Sequence, residues 1–262
     1  MPDSASRRGG RTLPQRTLVI VAHGSVDPRA AAAIDELMPL VACRARERGL
    51  SVPDLRVAYL GHAAPSVPQV MRTFGPEAQV TVLPLLLTAA YHSKTDLPRV
   101  LARIGTGARV TYGEPLGPHP LLLRALERRL AEADPSALEA RRRTGVVLAA
   151  AGSSDPEANA TITRLAAQWQ ARAGWFAVRP AYASAAGPRP EQAVTELRRA
   201  GARRVLVASY LLAPGLFADR IRDASLAAGA AAISPALGAS AELADVVLDR
   251  YQEAGTRAKA AA

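Results

Sequence analysis

Two histidines, His23 and His92, stand where parallel β-sheets commonly bind their ligands. His23 directly follows the short apolar run 18–22, which is rich in Val and Ile and therefore predicts a buried parallel strand. His92 comes after a second such run, 79–85, and a short loop. Open α/β sheets bind ligands beyond the carboxyl ends of their strands, and neutral imidazole binds transition metals and accepts protons near neutral pH. The pair predicts one cleft for metal binding or acid–base chemistry.

The other two histidines leave alternatives open. His62 follows the predicted second strand, 55–60, and is either a third metal ligand or a loop residue. His119 stands between two prolines after the predicted fourth strand, 109–112, and is expected to be a loop or helix-start residue. The sequence has no Cys cluster, His-Glu-x-x-His helix or Gly-x-Ser-x-Gly elbow, and no nucleotide-binding glycine loop follows the first strand. Neither a structural zinc site nor a nucleotide cofactor is predicted.

Predicted strands and helices alternate through the first half of the chain. The helical segments have apolar residues along one face or begin with Pro and Ser. Such alternation is typical of a parallel sheet that is covered by helices on both faces. The predicted strands are 17–22, 55–60, 79–85 and 109–112, and the predicted helices begin near 28, 67, 98 and 120.

The second half of the chain repeats the first without its histidines. Its first strand and turn match residues 18–28, including the sequence Gly-Ser-x-Asp-Pro, but Ala151 stands in the place of His23. Phe217 likewise falls at the place of His92. Because the turn residues occur in both halves and the histidines in only one, we expect the turn residues to be structural and the histidines to be functional.

The repeat predicts two duplicated lobes rather than a solenoid. A stretch rich in Pro, Glu and Arg separates them and is interpreted as a connector. The expected divisions are a disordered basic N-terminus at 1–16, the histidine-bearing lobe at 17–133, a linker at 134–144, a degenerate second lobe at 145–256 and a tail at 257–262.

The charge and composition limit the possible partners. The net charge is +10 and nearly all of the positive charge is arginine, which would attract either nucleic acid or a polyanionic small molecule. Aromatic residues make up only 4%, so a nucleic-acid interpretation rests on charge alone. One cysteine allows no intrachain disulfide. No apolar run approaches the ~20 residues of a membrane span and the N-terminus lacks the core of a signal peptide, so we expect no membrane partner and a cytoplasmic protein.

Three patterns in the first lobe carry a family resemblance: Val-Ala-His23-Gly-Ser25-x-Asp27, then Pro65-Ser66, then Leu-Pro84-Leu-Leu-Leu-x-Ala-x-Tyr-His92-x-x-x-Asp96-Leu-Pro98. They resemble the class II tetrapyrrole chelatases, in particular the sirohydrochlorin ferrochelatase and cobaltochelatase branch. The resemblance extends over nearly the whole chain, because the second lobe is a degenerate copy of the first.

This resemblance implies two flavodoxin-like lobes with the active site between them. It also implies an enzyme that inserts Fe2+ or Co2+ into sirohydrochlorin, or the related precorrin-2, without ATP, for siroheme or cobalamin biosynthesis. The family's two active-site histidines correspond to His23 and His92. Short relatives are symmetric dimers of one lobe, so this duplicated chain is expected to be a monomer that forms an internal pseudo-dimer.

The chain departs from the family pattern after the second predicted strand. Relatives often carry a glutamate before Pro-Ser, whereas this chain has Tyr59-Leu60-Gly61-His62. His62 could replace the carboxylate as a third metal ligand or as a base. The departure leaves the metal preference open, and a non-catalytic carrier of metal or tetrapyrrole with the same cleft is the alternative interpretation.

The implied substrate is a polycarboxylate, which an arginine-rich cleft mouth would attract and orient. Candidate substrate-binding residues near the predicted strand ends are Arg29, Lys94, Arg99 and Arg220. For each of them, a solvated surface side chain is the alternative.

Overall fold

The computed structural model describes residues 16–51, 54–88, 97–104 and 107–260. It confirms the predicted fold class, because the chain forms two four-stranded parallel sheets, each with helices on both faces. None of the described helices has the length and apolar character that a membrane crossing requires.

The first sheet has the strand order β2-β1-β3-β4. Its four strands come from the first half of the chain and agree with the predicted runs to within a residue or so at each end. The elements of this half are β1 (Arg16–Ala22), α1 (Pro28–Glu47), β2 (Asp54–Tyr59), α2 (Val67–Met71), β3 (Gln79–Pro84), α3 (Leu97–Ile104), β4 (Arg109–Tyr112) and α4 (Pro120–Ala133).

The second sheet repeats this order as β6-β5-β7-β8. The sequence pattern does not predict the short strand β8 or the extent of helix α7, and the last helix extends beyond its predicted end at 252. The elements are β5 (Thr144–Ala150), α5 (Pro156–Ala173), β6 (Ala177–Tyr182), α6 (Pro190–Arg199), β7 (Arg204–Tyr210), α7 (Leu216–Ala227), β8 (Ala232–Ile233) and α8 (Ala241–Ala260).

The repeated Gly-Ser-x-Asp-Pro turn has the structural role that its occurrence in both halves predicts. In the first half, the Asp27 carboxylate accepts the Arg29 N–H and caps α1, while Ser25 Oγ accepts the Asp27 N–H at 3.0 Å. In the second half, Asp155 and Ser153 make the same two bonds at the start of α5. Each cap satisfies N–H groups that a helix cannot bond internally.

The strands at the centre of each sheet bury both of their faces. In β1, Leu18 and Ile20 point into an apolar cluster that the two halves share, while Val19 and Val21 point to an outer cluster with α2 and α3. Strand β5 divides its side chains in the same way, with α6 and α7 on the outer side. The molecule is therefore five layers thick, and helices α1, α4, α5 and α8 form the middle layer between the two sheets.

The last helix of each half packs on the sheet of the other half. Helix α4 contacts β7 and β8, whereas α8 contacts β3, β4 and α1. Ion pairs reinforce the exchange: Arg44 binds Asp245 at 2.7 Å and Arg48 binds Asp249 at 2.6 Å, both between α1 and α8. The division at 134–144 is thus a boundary in the sequence, while in space the two halves share one core.

Because the two halves share one core, we expect a single unfolding transition. Leu248→Ala should lower the free energy of that transition. Leu248 is fully buried in α8, so removing its side chain should cost about 2–5 kcal/mol of unfolding free energy. Both tryptophans, Trp169 and Trp175, lie in the second half, so tryptophan fluorescence reports on that half and far-UV circular dichroism on the whole chain. In urea, both signals should shift together in the variant.

The matched control is Leu226→Ala, because Leu226 is 50% exposed on α7 and its loss should change the unfolding free energy by no more than about 0.5 kcal/mol. A fluorescence transition that stays at the wild-type position in Leu248→Ala, while the dichroism transition moves, would contradict the shared core.

Candidate active site

His23 lies at the point where the strand order of the first sheet reverses. Strand β1 pairs with β2 on one side and β3 on the other, and the connections leave in opposite directions, which opens a crevice at the carboxyl ends. The backbone there is held firmly, because the His23 carbonyl accepts the Gly61 N–H at 3.0 Å. Gly24 has φ +88°, and a Cβ on it would collide with the Gly61 carbonyl. The imidazole of His23 is thus exposed at a fixed position.

The structure places His62 beside His23. Their rings are stacked, with centroids 6.4 Å apart and planes 24° from parallel. His62 has φ +60°, an unusual conformation for a residue other than glycine, and the equivalent Ala185 has φ +56°. The backbone shape is therefore common to both halves, whereas the histidine is not. The structure thus brings His62 to the same strand ends as His23, and its role as a third metal ligand or base stays a prediction.

Two of the sequence-predicted residues, His92 and Lys94, lie outside the described residues. The chain that leads towards them does enter the cleft, since Leu86, Leu87 and Thr88 line a cavity together with His23. The roles of His92 and Lys94 stay predictions.

Two cavities related by the internal repeat meet at His23. The smaller has a volume of about 140 Å³ and lies at the strand ends of the first half, beside Gly24 and Tyr59. The larger, of about 460 Å³, lies at the strand ends of the second half, beside Gly152 and Ala151. His23 lines both. The size of the larger cavity is typical of small-molecule sites.

The larger cavity was not predicted, although the sequence contains a signal for it. Aligning the two halves places Ala151 and Ala185 where the first half has His23 and His62. The replacement of two large side chains by methyl groups at one strand-end cluster indicates added space in the second half.

Arg29 joins the two halves at the edge of the cleft. Its guanidinium binds Asp27 and Asp219, each at 2.6 Å, and Asp219 belongs to α7 of the second half. The hydrogen bond from Arg29 is the main reason that the pKa of each carboxyl group is lowered. Two carboxylates already neutralise this arginine, so a substrate carboxylate would have to displace one of them.

The other predicted arginines do not reach the cavities. Arg99 and Arg220 are exposed on α3 and α7, and among the described residues that line the two cavities there is no arginine. The binding of substrate by Arg29, Arg99 and Arg220 remains a prediction, and it would apply to the outer surface around the cleft.

His119 is a helix-start residue, as the sequence suggested. Its Nδ1 accepts the Leu121 N–H at 3.3 Å and caps α4, and its Nε2 lies 3.6 Å from a carboxylate oxygen of Asp249. Burial lowers the pKa of His119, the positive charge of Arg250 lowers it further, and Asp249 and Glu253 oppose the shift. A neutral His119 is therefore part of the fold rather than of the cleft.

The described residues offer the metal two imidazoles but no closed cage. Within them, no three His, Cys, Asp or Glu side chains are grouped to hold a metal ion. Metal binding by His23 and His62 therefore stays a prediction.

The fold and the cleft define a two-lobed α/β protein with a histidine site between duplicated halves. The CbiX family model matches residues 17–133 and 145–254, which is most of the chain. This chain belongs to the CbiX family.

Two curated relatives have described activities. A sirohydrochlorin ferrochelatase from Bacillus subtilis (strain 168) is 27% identical over 215 residues, which cover 79% of this chain and 78% of that protein. A sirohydrochlorin cobaltochelatase from Priestia megaterium is 23% identical over 213 residues, which cover 79% of this chain and 68% of that protein. Among solved structures, SirB from Bacillus subtilis with Fe3+ has a TM-score of 0.75 at 22% identity and covers 94% of this chain and 98% of its own, which supports the fold.

The partly buried cap at His119 predicts that the protein loses stability in mild acid. Its folded-state pKa lies below the ordinary histidine value of about 6.5, so as the pH falls through that value the unfolded chain binds the proton first. The contribution is fully present above pH ~6.5 and is lost as the pH falls towards the lower, folded-state pKa. His119→Asn, which keeps a helix cap but does not titrate, should lose less stability in urea between about pH 7.5 and 5.5. An equal loss in both proteins would contradict this assignment.

Proposed function

We propose that this chain is a sirohydrochlorin chelatase that inserts a divalent metal ion without a nucleotide. The observation that supports this most directly is the stacked pair of His23 and His62. The pair lies in the first half of the chain, at the point where the strand order of its sheet reverses. The activities of the two curated relatives agree with such a cleft.

The chemistry of the reaction explains why imidazoles serve here. Metalation exchanges two pyrrole N–H protons for one divalent ion, so the site must deliver a metal and take up protons. A neutral imidazole has one available lone pair, which can hold a metal or a proton but not both. When the ion passes from a histidine to the ring nitrogens, that lone pair becomes available for a pyrrole proton, and the exposed positions of His23 and His62 let the proton pass to water.

We further propose which metal ion is inserted, where the product is used and how many chains form the site. Fe2+ is the favoured substrate ion because the ferrochelatases among the relatives are slightly more similar, and Co2+ is the alternative because one relative is a cobaltochelatase and imidazole binds both ions. The product would enter siroheme or cobalamin synthesis in the cytoplasm. One chain would suffice, because the second half provides the other wall of the cleft that a partner subunit would otherwise form.

A non-catalytic carrier is the second candidate, and one observation favours it. The family pattern that this sequence resembles often has a glutamate at the place of Gly61, and this chain has no carboxylate there. The two candidates differ in turnover, because a carrier yields at most one equivalent of metalated product per chain.

The proposal predicts that His23→Ala and His62→Ala each slow metalation at least about 100-fold, since each removes a base or ligand from the cleft. The measurement is anaerobic absorbance of sirohydrochlorin with Fe2+ and, separately, Co2+. His119→Asn is the matched control, because it removes a histidine outside the cleft and should keep the wild-type rate. Wild-type protein that forms one equivalent or less of product would favour the carrier, and wild-type rates in both cleft variants would rule out the histidine mechanism.

Gly61→Glu should tighten Co2+ binding about tenfold or more, because it places a carboxylate beside the two imidazoles. A Cβ on Gly61 meets no atom within 4 Å and φ there is not positive, so the backbone accepts a side chain at this position. Isothermal titration with Co2+ alone measures the change, and Gly61→Gln is the uncharged control. Equal affinity in Gly61→Glu and Gly61→Gln would show that no carboxylate reaches the metal from this position.

A further inference from the structure

The duplicated cleft has become asymmetric, with histidines in one half and a larger cavity in the other. Ala151 and Ala185 occupy the positions of His23 and His62, and the cavity beside them is about 460 Å³ compared with 140 Å³. From this we infer that the two halves have different roles in the reaction: the second half binds the tetrapyrrole ring and the first half supplies the metal. The inference rests on the proposed function and assigns the binding surface for its substrate.

Much of the surface of the larger cavity is apolar, and three of its polar side chains, those of Asn159, Ser184 and Tyr210, are already engaged by the protein. The Asn159 amide bonds both the N–H and the carbonyl of Ser153, at 3.0 and 2.7 Å. Ser184 Oγ donates to the Ala151 carbonyl, and the Tyr210 hydroxyl donates to the Leu87 carbonyl. These groups gain nothing by binding an anion. The cavity therefore fits the flat hydrocarbon edge of a macrocycle, whose carboxylates would stay outside at the arginine-bearing surface.

Phe217 provides the aromatic surface for such a ring. It lines the larger cavity in the first turn of α7 and is 38% exposed. By the sequence repeat it stands at the position equivalent to His92. An exposed phenyl ring at the mouth of an apolar cavity can stack on a planar π-system. The second half thus has an aromatic side chain at the place where the first half has the predicted ligand His92.

The position of His23 connects the two functions. Because His23 lines both cavities, a planar ring that enters the larger cavity would bring its central nitrogens towards the His23 side. A ring bound in the opposite orientation would face Ala151, which cannot hold a metal. The asymmetry therefore selects one productive orientation in a cleft whose backbone is nearly symmetric.

The test measures ring binding and metal binding separately in the full chain. Metal-free sirohydrochlorin is titrated anaerobically by absorbance, and Co2+ alone is titrated by calorimetry. Phe217→Ala should weaken tetrapyrrole binding about fivefold to tenfold and leave the Co2+ affinity within about twofold. Phe217→Trp should restore tetrapyrrole binding. Leu226→Ala, which removes an exposed apolar side chain from the same helix outside the cavity, should change neither.

A second variant tests the inference by reducing the size of the larger cavity. Ala151→Leu occupies part of the larger cavity beside His23, so it should weaken tetrapyrrole binding as well. Wild-type tetrapyrrole affinity in both Phe217→Ala and Ala151→Leu would overturn the inference even if the wild-type protein inserts metal. Failure of the proposed function itself has a different signature, namely wild-type protein that binds the tetrapyrrole but gives no more than one equivalent of product.

Discussion

The close approach of two loops at the strand ends determines the geometry of the cleft. Gly24 passes so near the Gly61 carbonyl that no side chain fits, and the His23 carbonyl accepts the Gly61 N–H. This contact brings the loop after β2 against the end of β1, which places His62 over His23. The second half keeps the contact through Gly152 and Ser184. The backbone constraint thus does not depend on the histidines, because it persists in the half where they are absent.

The strands and their alternation with helices could be predicted because burial on both faces leaves continuous apolar runs in the sequence. The capped turns could be predicted because an Asp directly before a Pro is a local signal for the start of a helix. The packing of α4 and α8 on the sheet of the other half could not be predicted. Each helix has one apolar face, and the pattern of that face is the same whichever of the two similar sheets it covers. The Arg44–Asp245 pair joins residues far apart in the chain, so no local pattern reveals it.

Part of the candidate site could likewise be predicted from local sequence patterns. His23 stands at the end of a recognisable strand, and the absence of histidine from the repeat indicated a function. The pairing with His62 depends on a loop held at positive φ, a conformation that histidine itself does not signal. The expectation of an arginine-lined mouth came from the polycarboxylate substrate that the family resemblance implies and from the arginine-rich composition. Total charge does not distinguish a free guanidinium from one such as Arg29, which is already bound to Asp27 and Asp219.

The central claim is that a metal ion held by the cleft histidines is passed directly to the tetrapyrrole, and isotope trapping tests it most directly. The protein is loaded with one equivalent of labelled Co2+ and then mixed with sirohydrochlorin and a large excess of unlabelled Co2+ for a single turnover. The account predicts that most of the label appears in the first equivalent of product, and that His23→Ala abolishes this trapping. A product that contains the label only in proportion to the diluted pool would contradict it, because the bound ion would then have left the cleft before the reaction.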